Sequence, residues 1–540
     1  MNQANICSAA FSRHPSYAKL EAIDFPESIP ALLNRAAERF GNAEAITFFE
    51  QDESLSFKDL RDTAYSLAHA LHYKGVSKGS HVALLLSNRI EYPVAWLALA
   101  ILGAVAVPTI TASTPRELRF ILNDADITHV IVEDKLLPTL RDAGEALSPD
   151  CIFTVGEPSD EYADYQTLLS QGSSAFRPAV KVTGQDLMNI QYTSGTTGLP
   201  KGVMQNHRFW IVAGCPMGVM MPDLKSILSD HPWYYIDPQW MFVTGLYSGA
   251  RVDFTNGMSI KKFRGWLESR ESSLVWFPDP LLKLPDSEQD KQNKMQLFMG
   301  YHLSYDMQKS VERRFRAPVR ELYGMTEISL GISVPVDCFD EAAVGTCGIP
   351  GPFRQARIVD PNGNDVPLGT TGELWISGDG IFSGYYNRPE INAELIVDGW
   401  FRTGDIFCQD ENGYYNIVGR IKDMIKRSGE NIAALEVEQV LVDMPEIEDA
   451  AIVAVPDPDR DQEVKAYIKL RDGVTKEQRT VDSILEHCLH SLAKFKIPRY
   501  IEFVESFTYT PSNKIAKHLL VKGVDDLREK SYDAVDKVWR

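Results

Sequence analysis

The stretch Tyr192-Thr193-Ser194-Gly195-Thr196-Thr197-Gly198-Leu199-Pro200-Lys201-Gly202 decides how the rest of the chain is read. Its eleven residues hold four Ser/Thr hydroxyls, three glycines and a lysine, and it follows the apolar run Leu187 to Gln191. Each component suits phosphate: glycines let backbone N–H groups approach the oxygens, hydroxyls add donors, and an ammonium neutralises charge. The lysine comes too late for the GxxxxGK[ST] loop, so the spacing describes a different phosphate-wrapping device.

Working outward, the first half of the chain alternates helical and extended patterns. Leu32 to Phe40 and Leu60 to Tyr73 repeat apolar residues at helical spacing. His81 to Leu85, Thr128 to Val132 and Leu187 to Gln191 read as short buried strands, and Val94 to Val107 as a buried helix passing into a strand. Alternation of this kind predicts an α/β class, with a large multi-layered N-terminal domain built on parallel sheets. From about Gly345 short strands and turns take over (Arg357 to Val359, Pro361-Asn362-Gly363, Gly372 to Ser377, Tyr414 to Val418), predicting a small barrel-like part. Beyond Arg420, Glu436 to Val442 and Ile484 to Leu492 read as helices and Ala450 to Val455 and Val464 to Leu470 as strands. We therefore divide the chain into domains 1–421 and 422–540, the second a small α+β unit.

At 540 residues, 44% hydrophobic and 24% charged, the chain reads as folded throughout. The seven cysteines form no CxxC pair, and the N-terminal residues lack the apolar core of a secretory signal, so a cytoplasmic location is expected. The longest apolar stretch runs to about 14 residues, short of the ~20 that a membrane span needs. A net charge of −19 argues against nucleic acid and against an anionic membrane surface. Polyanionic ligands must then be held by local amides and a few placed cations rather than by the overall field.

Further motifs follow the loop in order: Tyr323-Gly324-Met325-Thr326-Glu327, Gly372-Glu373-Leu374, Trp400-Phe401-Arg402-Thr403-Gly404-Asp405, Gly419-Arg420-Ile421-Lys422-Asp423, Ser428-Gly429-Glu430-Asn431 and Thr510-Pro511-Ser512-Asn513-Lys514. The ordered set, spanning about Ile29 to Leu520, resembles the adenylate-forming superfamily of acyl-CoA synthetases, luciferases and peptide-synthetase adenylation domains.

The resemblance implies an ATP-dependent ligase that turns a carboxylic acid into an acyl-adenylate and pyrophosphate, then a thioester with coenzyme A, with Mg²⁺ as cofactor. It implies that Thr193, Ser194, Gly195, Thr196, Thr197, Gly198 and Lys201 wrap ATP phosphates. Tyr323, with Gly324 and Met325, would stack on adenine, Thr326 bond the α-phosphate, and Glu327 hold the metal. Asp405 would accept both ribose hydroxyls, Arg420 would contact ribose or phosphate, and Glu373 is either a site residue or a paired surface acid. Lys514 would bridge substrate carboxylate and α-phosphate; Asn513 stands where the family usually has glycine. Lys422 occupies the hinge position of a C-terminal domain that rotates between half-reactions. Ser428, Gly429 and Glu430 would line the coenzyme A tunnel, with Lys426 and Arg427 near its phosphates.

The acyl pocket departs from the common pattern. Tyr235 replaces a gating histidine, and Gly300-Tyr301-His302-Leu303 replaces a Gly-Gly-Ala segment, which predicts a short, compact acid. Ile236 to Gln239 and the departures at 300–304 resemble most the carnitine and crotonobetaine CoA ligase branch. Asp237 amid Trp233, Tyr234, Tyr235 and Trp240 would suit a quaternary ammonium; the competing reading makes the aromatics core and Asp237 a helix cap before Pro238. A stand-alone adenylation enzyme loading an amino or aryl acid onto a carrier protein is the alternative function. A homodimer is compatible with the sequence.

Overall fold

The computed structural model describes residues 15–144, 147–158, 160–193, 200–301, 303–428, 430–510 and 514–540. Two large sheets form the N-terminal body. The first has seven strands in the spatial order Ala163–Asp164, Ile152–Val155, His129–Glu133, His81–Leu85, Val105–Pro108, Leu187–Thr193, Lys201–Asn206. All neighbours are parallel until the final pair, which is antiparallel. The second has nine strands and keeps a parallel centre from Glu44–Phe48 to Val319–Met325. Continuous apolar runs such as Val82 to Leu85 are what strands covered on both faces require.

Local chemistry sets the helices between them. Helix Ile29–Phe40 starts after Ser28 with Pro30 in its first turn, ends at Gly41 with φ 52°, and buries Ile29, Leu32, Leu33, Ala36 and Ala37 along one stripe. Ser56 accepts the Asp59 N–H to cap helix Phe57–Tyr73. Helix Glu91–Leu102 is buried all round and so lies inside the layers. It leaves through Gly103, in the left-handed region at φ 67°, into strand Val105–Pro108. Trp96 of this helix donates its indole N–H to Asn189 on the strand that leads to the phosphate loop, at 2.9 Å.

A five-stranded antiparallel sheet, with Thr371–Gly378 and Trp400–Gln409 at its centre, provides the barrel-like part. Strand Tyr415–Arg420 still belongs to it, whereas Met424–Arg427 belongs to a third large sheet. That sheet carries the long hairpin Ile447–Asp457/Asp461–Leu470, packs helices Ala434–Val442 and Gln478–Ser491, and has its own apolar core around Ile425, Val437, Ile452 and Ile484. The predicted strands at 450–455 and 464–470 were short by several residues each, because the hairpin's outer turns are polar. The α/β class with an appended α+β unit holds. Among the described residues no helix is long and apolar enough to cross a membrane.

Candidate active site

Strand Val319–Met325 of the second sheet carries Tyr323 against the five-stranded sheet, in one apolar cluster with Leu374, Phe401 and Phe407. The ladder with Ser329–Ser333 is irregular between Tyr323 and Gly324. A Cβ on Gly324 would sit 2.3 Å from the Ser329 carbonyl oxygen, so only glycine permits this close approach. The Tyr323 ring is buried edge-on against Phe407, centroids 4.8 Å apart, and its hydroxyl donates to Asp405 Oδ2 at 2.6 Å.

Asp405 and Arg420 face each other across neighbouring strands, with Arg420 Nε 3.0 Å from Asp405 Oδ1. Each Asp405 oxygen thus takes one protein partner and keeps a lone pair in reserve, as two carboxylate oxygens offer about four acceptor sites. Glu373 is a strut rather than a loose surface acid: it accepts the Gly404 N–H at 3.2 Å, pairs with Arg402 at 3.2 Å, and accepts the Trp375 indole N–H at 3.0 Å. It thereby shapes the turn at Gly404, φ 72°, that presents Asp405.

Glu327 is buried beside this pair. Burial raises its carboxyl above the ordinary range, while a 2.7 Å hydrogen bond from the Tyr385 hydroxyl and the positive charges of Lys201 and Arg420 act against the rise. Lys201 lies over the Tyr385 ring, Nζ 4.5 Å from its centroid. Its pKa falls, chiefly through burial; Glu327 opposes the fall and the positive charge of Lys422 adds to it. The carbonyl of Thr326 accepts the Gln205 side-chain N–H at 2.8 Å.

Thr193 and Lys201 are paired residues of the antiparallel strands Leu187–Thr193 and Lys201–Asn206. Lys201–Asn206 is thus a return strand that the sequence reading did not anticipate. Ser194, Gly195, Thr196, Thr197 and Gly198 lie outside the described residues. At the loop's base Tyr192 donates to Asp124 at 2.7 Å, and Arg388 pairs with the same carboxylate.

The Lys514 N–H donates to Thr510 Oγ1 at 3.1 Å, and the Thr510 N–H donates to the Lys514 carbonyl at 2.7 Å. Lys514 reaches solvent yet is hemmed by protein. Burial is the main cause pulling its pKa below the lysine range, Arg420 adds to it and Asp405 opposes it, which brings Lys514 within electrostatic reach of both. The small unit also touches the body where Lys283 Nζ donates to the Glu448 carbonyl at 3.2 Å. Lys422 is exposed on the 3₁₀ turn Ile421–Asp423.

The hairpin at 428–430 is set apart by its own contacts. Ser428 has φ 52° and donates its N–H to the Arg460 carbonyl at 2.9 Å, while Glu430 pairs with Arg427 across the turn. Gly429 lies outside the described residues. Arg427 is tied to Glu463 at 2.6 Å and to the Phe495 carbonyl at 2.8 Å, so it is not open to a phosphate.

In the acyl region Tyr235 is the N-cap residue of helix Ile236–Ser248, without a side-chain cap bond, so Asp237 is a first-turn acid and not the cap. The Trp240 indole N–H donates to Asp237 Oδ1 at 3.0 Å, and Tyr301 hydrogen-bonds the same carboxylate. Burial raises the pKa of Asp237; His231, Trp240 and Tyr301 oppose the rise. Gly300 ends strand Leu297–Gly300, where a Cβ would meet Leu303 at 2.4 Å. Tyr301 stacks on Trp276 with centroids 4.2 Å apart, and Trp276 meets Trp240 edge-on at 6.3 Å. Gln191, two residues before Thr193, donates to the Tyr234 carbonyl and so ties this region to the phosphate strand.

Tyr385 and Trp276 were not found from sequence. Tyr385 lies 58 residues from Glu327, in a segment without motif character, and only folding brings them together.

Comparison with known proteins follows this geometry. The model of the AMP-binding enzyme family matches residues 33–386, and that of the AMP-binding enzyme C-terminal domain matches 436–514. A crotonobetaine/carnitine–CoA ligase of Proteus mirabilis (strain HI4320) is 30% identical over 486 residues, 86% of this chain and 92% of the relative. The ligase of the same description from Salmonella paratyphi A (strain ATCC 9150 / SARB42) is 30% identical over 506 residues, 89% and 96% of the two chains. Among solved structures, ATP-bound MatB from Rhodopseudomonas palustris superposes with a TM-score of 0.81 at 26% identity, covering 92% of this chain and 99% of that one. The anthranilate CoA ligase AuaEII in complex with anthranoyl-AMP gives 0.83 at 23% identity, covering 92% and 97%, a likeness of fold.

Proposed function

The chain belongs to the AMP-binding enzyme family, and from that premise we propose that it joins a compact carboxylic acid to coenzyme A through an acyl-adenylate formed from ATP. The observation that carries this reading is the set of Asp405 with Arg420 Nε at 3.0 Å and the Tyr323 hydroxyl at 2.6 Å, next to a buried Glu327 held by Tyr385 at 2.7 Å, to which the motif position of Lys514 adds the catalytic cation. In the first step the carboxylate oxygen of the acid bonds the α-phosphorus and the bond to pyrophosphate breaks. Lys514 and Arg420 supply fixed positive charge where negative charge develops, and fixed charge in a partly water-excluded cleft needs no reorganisation. Lys201 meets the phosphates from the other side, and Asp405 fixes the ribose.

Glu327 suits Mg²⁺, a hard ion that takes one or two carboxylates, keeps several waters and shares phosphate oxygens. When bound, the ion would neutralise phosphate charge; the protein's part is to keep Glu327 ionised through Tyr385, Lys201 and Arg420.

We further propose that the acid carries a quaternary ammonium. Asp237 is hemmed by Trp240 and Tyr301, with Trp276 stacked behind, and among the described residues no lysine or arginine salt bridge reaches it. A buried carboxyl among aromatic side chains suits a soft, weakly hydrated cation. The named activity of the curated relatives points the same way.

The test traps acyl-adenylate as hydroxamate across crotonobetaine, carnitine, crotonate and anthranilate with ATP and Mg²⁺, then repeats each hit with coenzyme A and reads thioester by mass. Hydroxamate plus thioester from a betaine supports both proposals. Thioester only from the neutral or aryl acids removes the ammonium, and hydroxamate without thioester moves the acceptor to a carrier-protein thiol.

A further inference from the structure

Two strands lie beyond residue 514, the last one matched by a family model. Tyr532–Asp533 adds antiparallel to Tyr500–Val504, and Val538–Trp539 folds back onto it. Asp533 is fully buried between Arg499, with Nε and Nη2 both at 3.3 Å, and Arg540, with Nε at 3.0 Å and Nη2 at 2.6 Å. Burial works against its charge, yet Arg540, the Asp536 N–H and Arg499 hold its pKa down to about 2.

The chain of contacts continues. Arg499 Nη1 stands 3.5 Å from Asp457 and 3.7 Å from Glu463. Glu463, also fully buried, accepts a bidentate pair from Arg427 at 2.6 and 3.2 Å and a third bond from Arg460 at 2.8 Å. Arg427, Arg460, Arg499 and Arg540 are thus matched by Asp457, Glu463, Asp533 and Asp536. The fully buried Asp533 and Glu463 are tolerated because each is paired, and removing a partner leaves the carboxylate with its desolvation cost uncompensated.

The far end of this network is the turn at Ser428. Arg427 is the residue before it. The backbone route ends there too: Asp457 Oδ1 accepts the N–H groups of Asp459 and Arg460, both at 3.0 Å, and the Arg460 carbonyl then accepts the Ser428 N–H at 2.9 Å. A non-glycine residue in the left-handed region persists only where its surroundings hold it, and beside the strand ladder and the bond from the Lys426 N–H to Gln462 at 2.8 Å, two of the contacts that hold Ser428 belong to the network. The Lys514 segment hangs on other partners, among them Tyr509 to Asp449 at 2.9 Å.

We propose that residues 532–540 are a positioning device for the paired strands Met424–Arg427 and Glu430–Ala433, acting through Arg499, Glu463 and Arg427, so that they govern the thioester-forming step and leave adenylate formation alone. The proposal rests on the ligase reading above. In the governed step the coenzyme A sulfur bonds the acyl carbon, the acyl–phosphate C–O bond breaks, AMP leaves and the thiol proton is released.

Arg540→Ala, Asp533→Asn and the conservative Arg540→Lys are compared with the unaltered full chain, using crotonobetaine or, failing it, the acid that gives most hydroxamate. Hydroxamate formation without coenzyme A and thioester formation with it are measured on each, with melting temperature alongside. Arg540→Ala and Asp533→Asn are expected to lose about ten- to a hundredfold in kcat/KM for coenzyme A, since small misplacements of a positioning element have effects of that order. Hydroxamate rates should stay within about twofold, and Arg540→Lys should recover most of the loss. Should Asp533→Asn fail to fold, Arg540→Ala, with its partly exposed side chain, still decides. A fall of both half-reactions in step with melting temperature, or no change in either, overturns the proposal. If the unaltered chain yields hydroxamate and no thioester, it is the ligase reading that fails, and the network with it.

Discussion

Tyr385 donates to the buried Glu327 carboxylate and so favours its charged form. Tyr385→Phe should raise the Glu327 pKa further, because burial then acts with less opposition. The ionised form is lost as pH falls through that pKa, so the acidic limb of the rate profile should move to higher pH and KM for Mg-ATP should rise about tenfold, a loss of ~1.4 kcal/mol. An unmoved acidic limb would detach Glu327 from the rate. Asp237→Asn keeps the shape and removes the charge. With a betaine acid its KM should rise about ten- to a hundredfold, while a neutral acid of the same chain length should be little affected.

At the scale of an element, the strand Val319–Met325 pairs irregularly with Ser329–Ser333 between Tyr323 and Gly324. Gly324→Ala forces its Cβ against the Ser329 carbonyl, and backbone cannot step aside as a side chain can. Denaturant unfolding should register a loss of about 1–3 kcal/mol, typical of overpacking, together with weakened ATP binding. The strut at Glu373 makes a second test of the same kind. Glu373→Gln loses the Arg402 ion pair but keeps most of the volume, so stability should change little while KM for ATP rises several-fold, on the order of 1 kcal/mol for a positioning bond. Equal effects on stability and KM would mean that the strut serves the sheet and not the turn at Gly404.

At the scale of the molecule, Lys514 belongs to the unit with its own core, while Arg420 and Asp405, which act on its charge, belong to the five-stranded sheet of the body. Lys514→Ala should lower hydroxamate formation by about a hundredfold or more, the usual consequence of removing one fixed charge from a transition state. Its pKa is held below the lysine range, and the charged form is lost as pH rises through it, so the alkaline limb of the adenylation profile should lie below that range and vanish in Lys514→Ala. If the alkaline limb survives in the variant, another group sets it.

The sequence by itself determined the family, the α/β layering and the order of the site segments, because those depend on local properties: apolar periodicity, glycines where backbone must approach phosphate, and a carboxylate or lysine at a motif position. It also separated the small α+β unit, since a change from helical to hairpin texture is written in residue order. The tertiary structure alone decided which groups meet. Tyr385 on Glu327, Glu373 under Gly404, Trp276 behind Tyr301, and the arginine–carboxylate network from Arg540 to Arg427 join residues far apart in the chain. A tyrosine or arginine has the same letter whether it is solvated or buried against a carboxylate. Its partner, and hence its charge state and its work, is fixed by burial, and burial is a property of the packed whole.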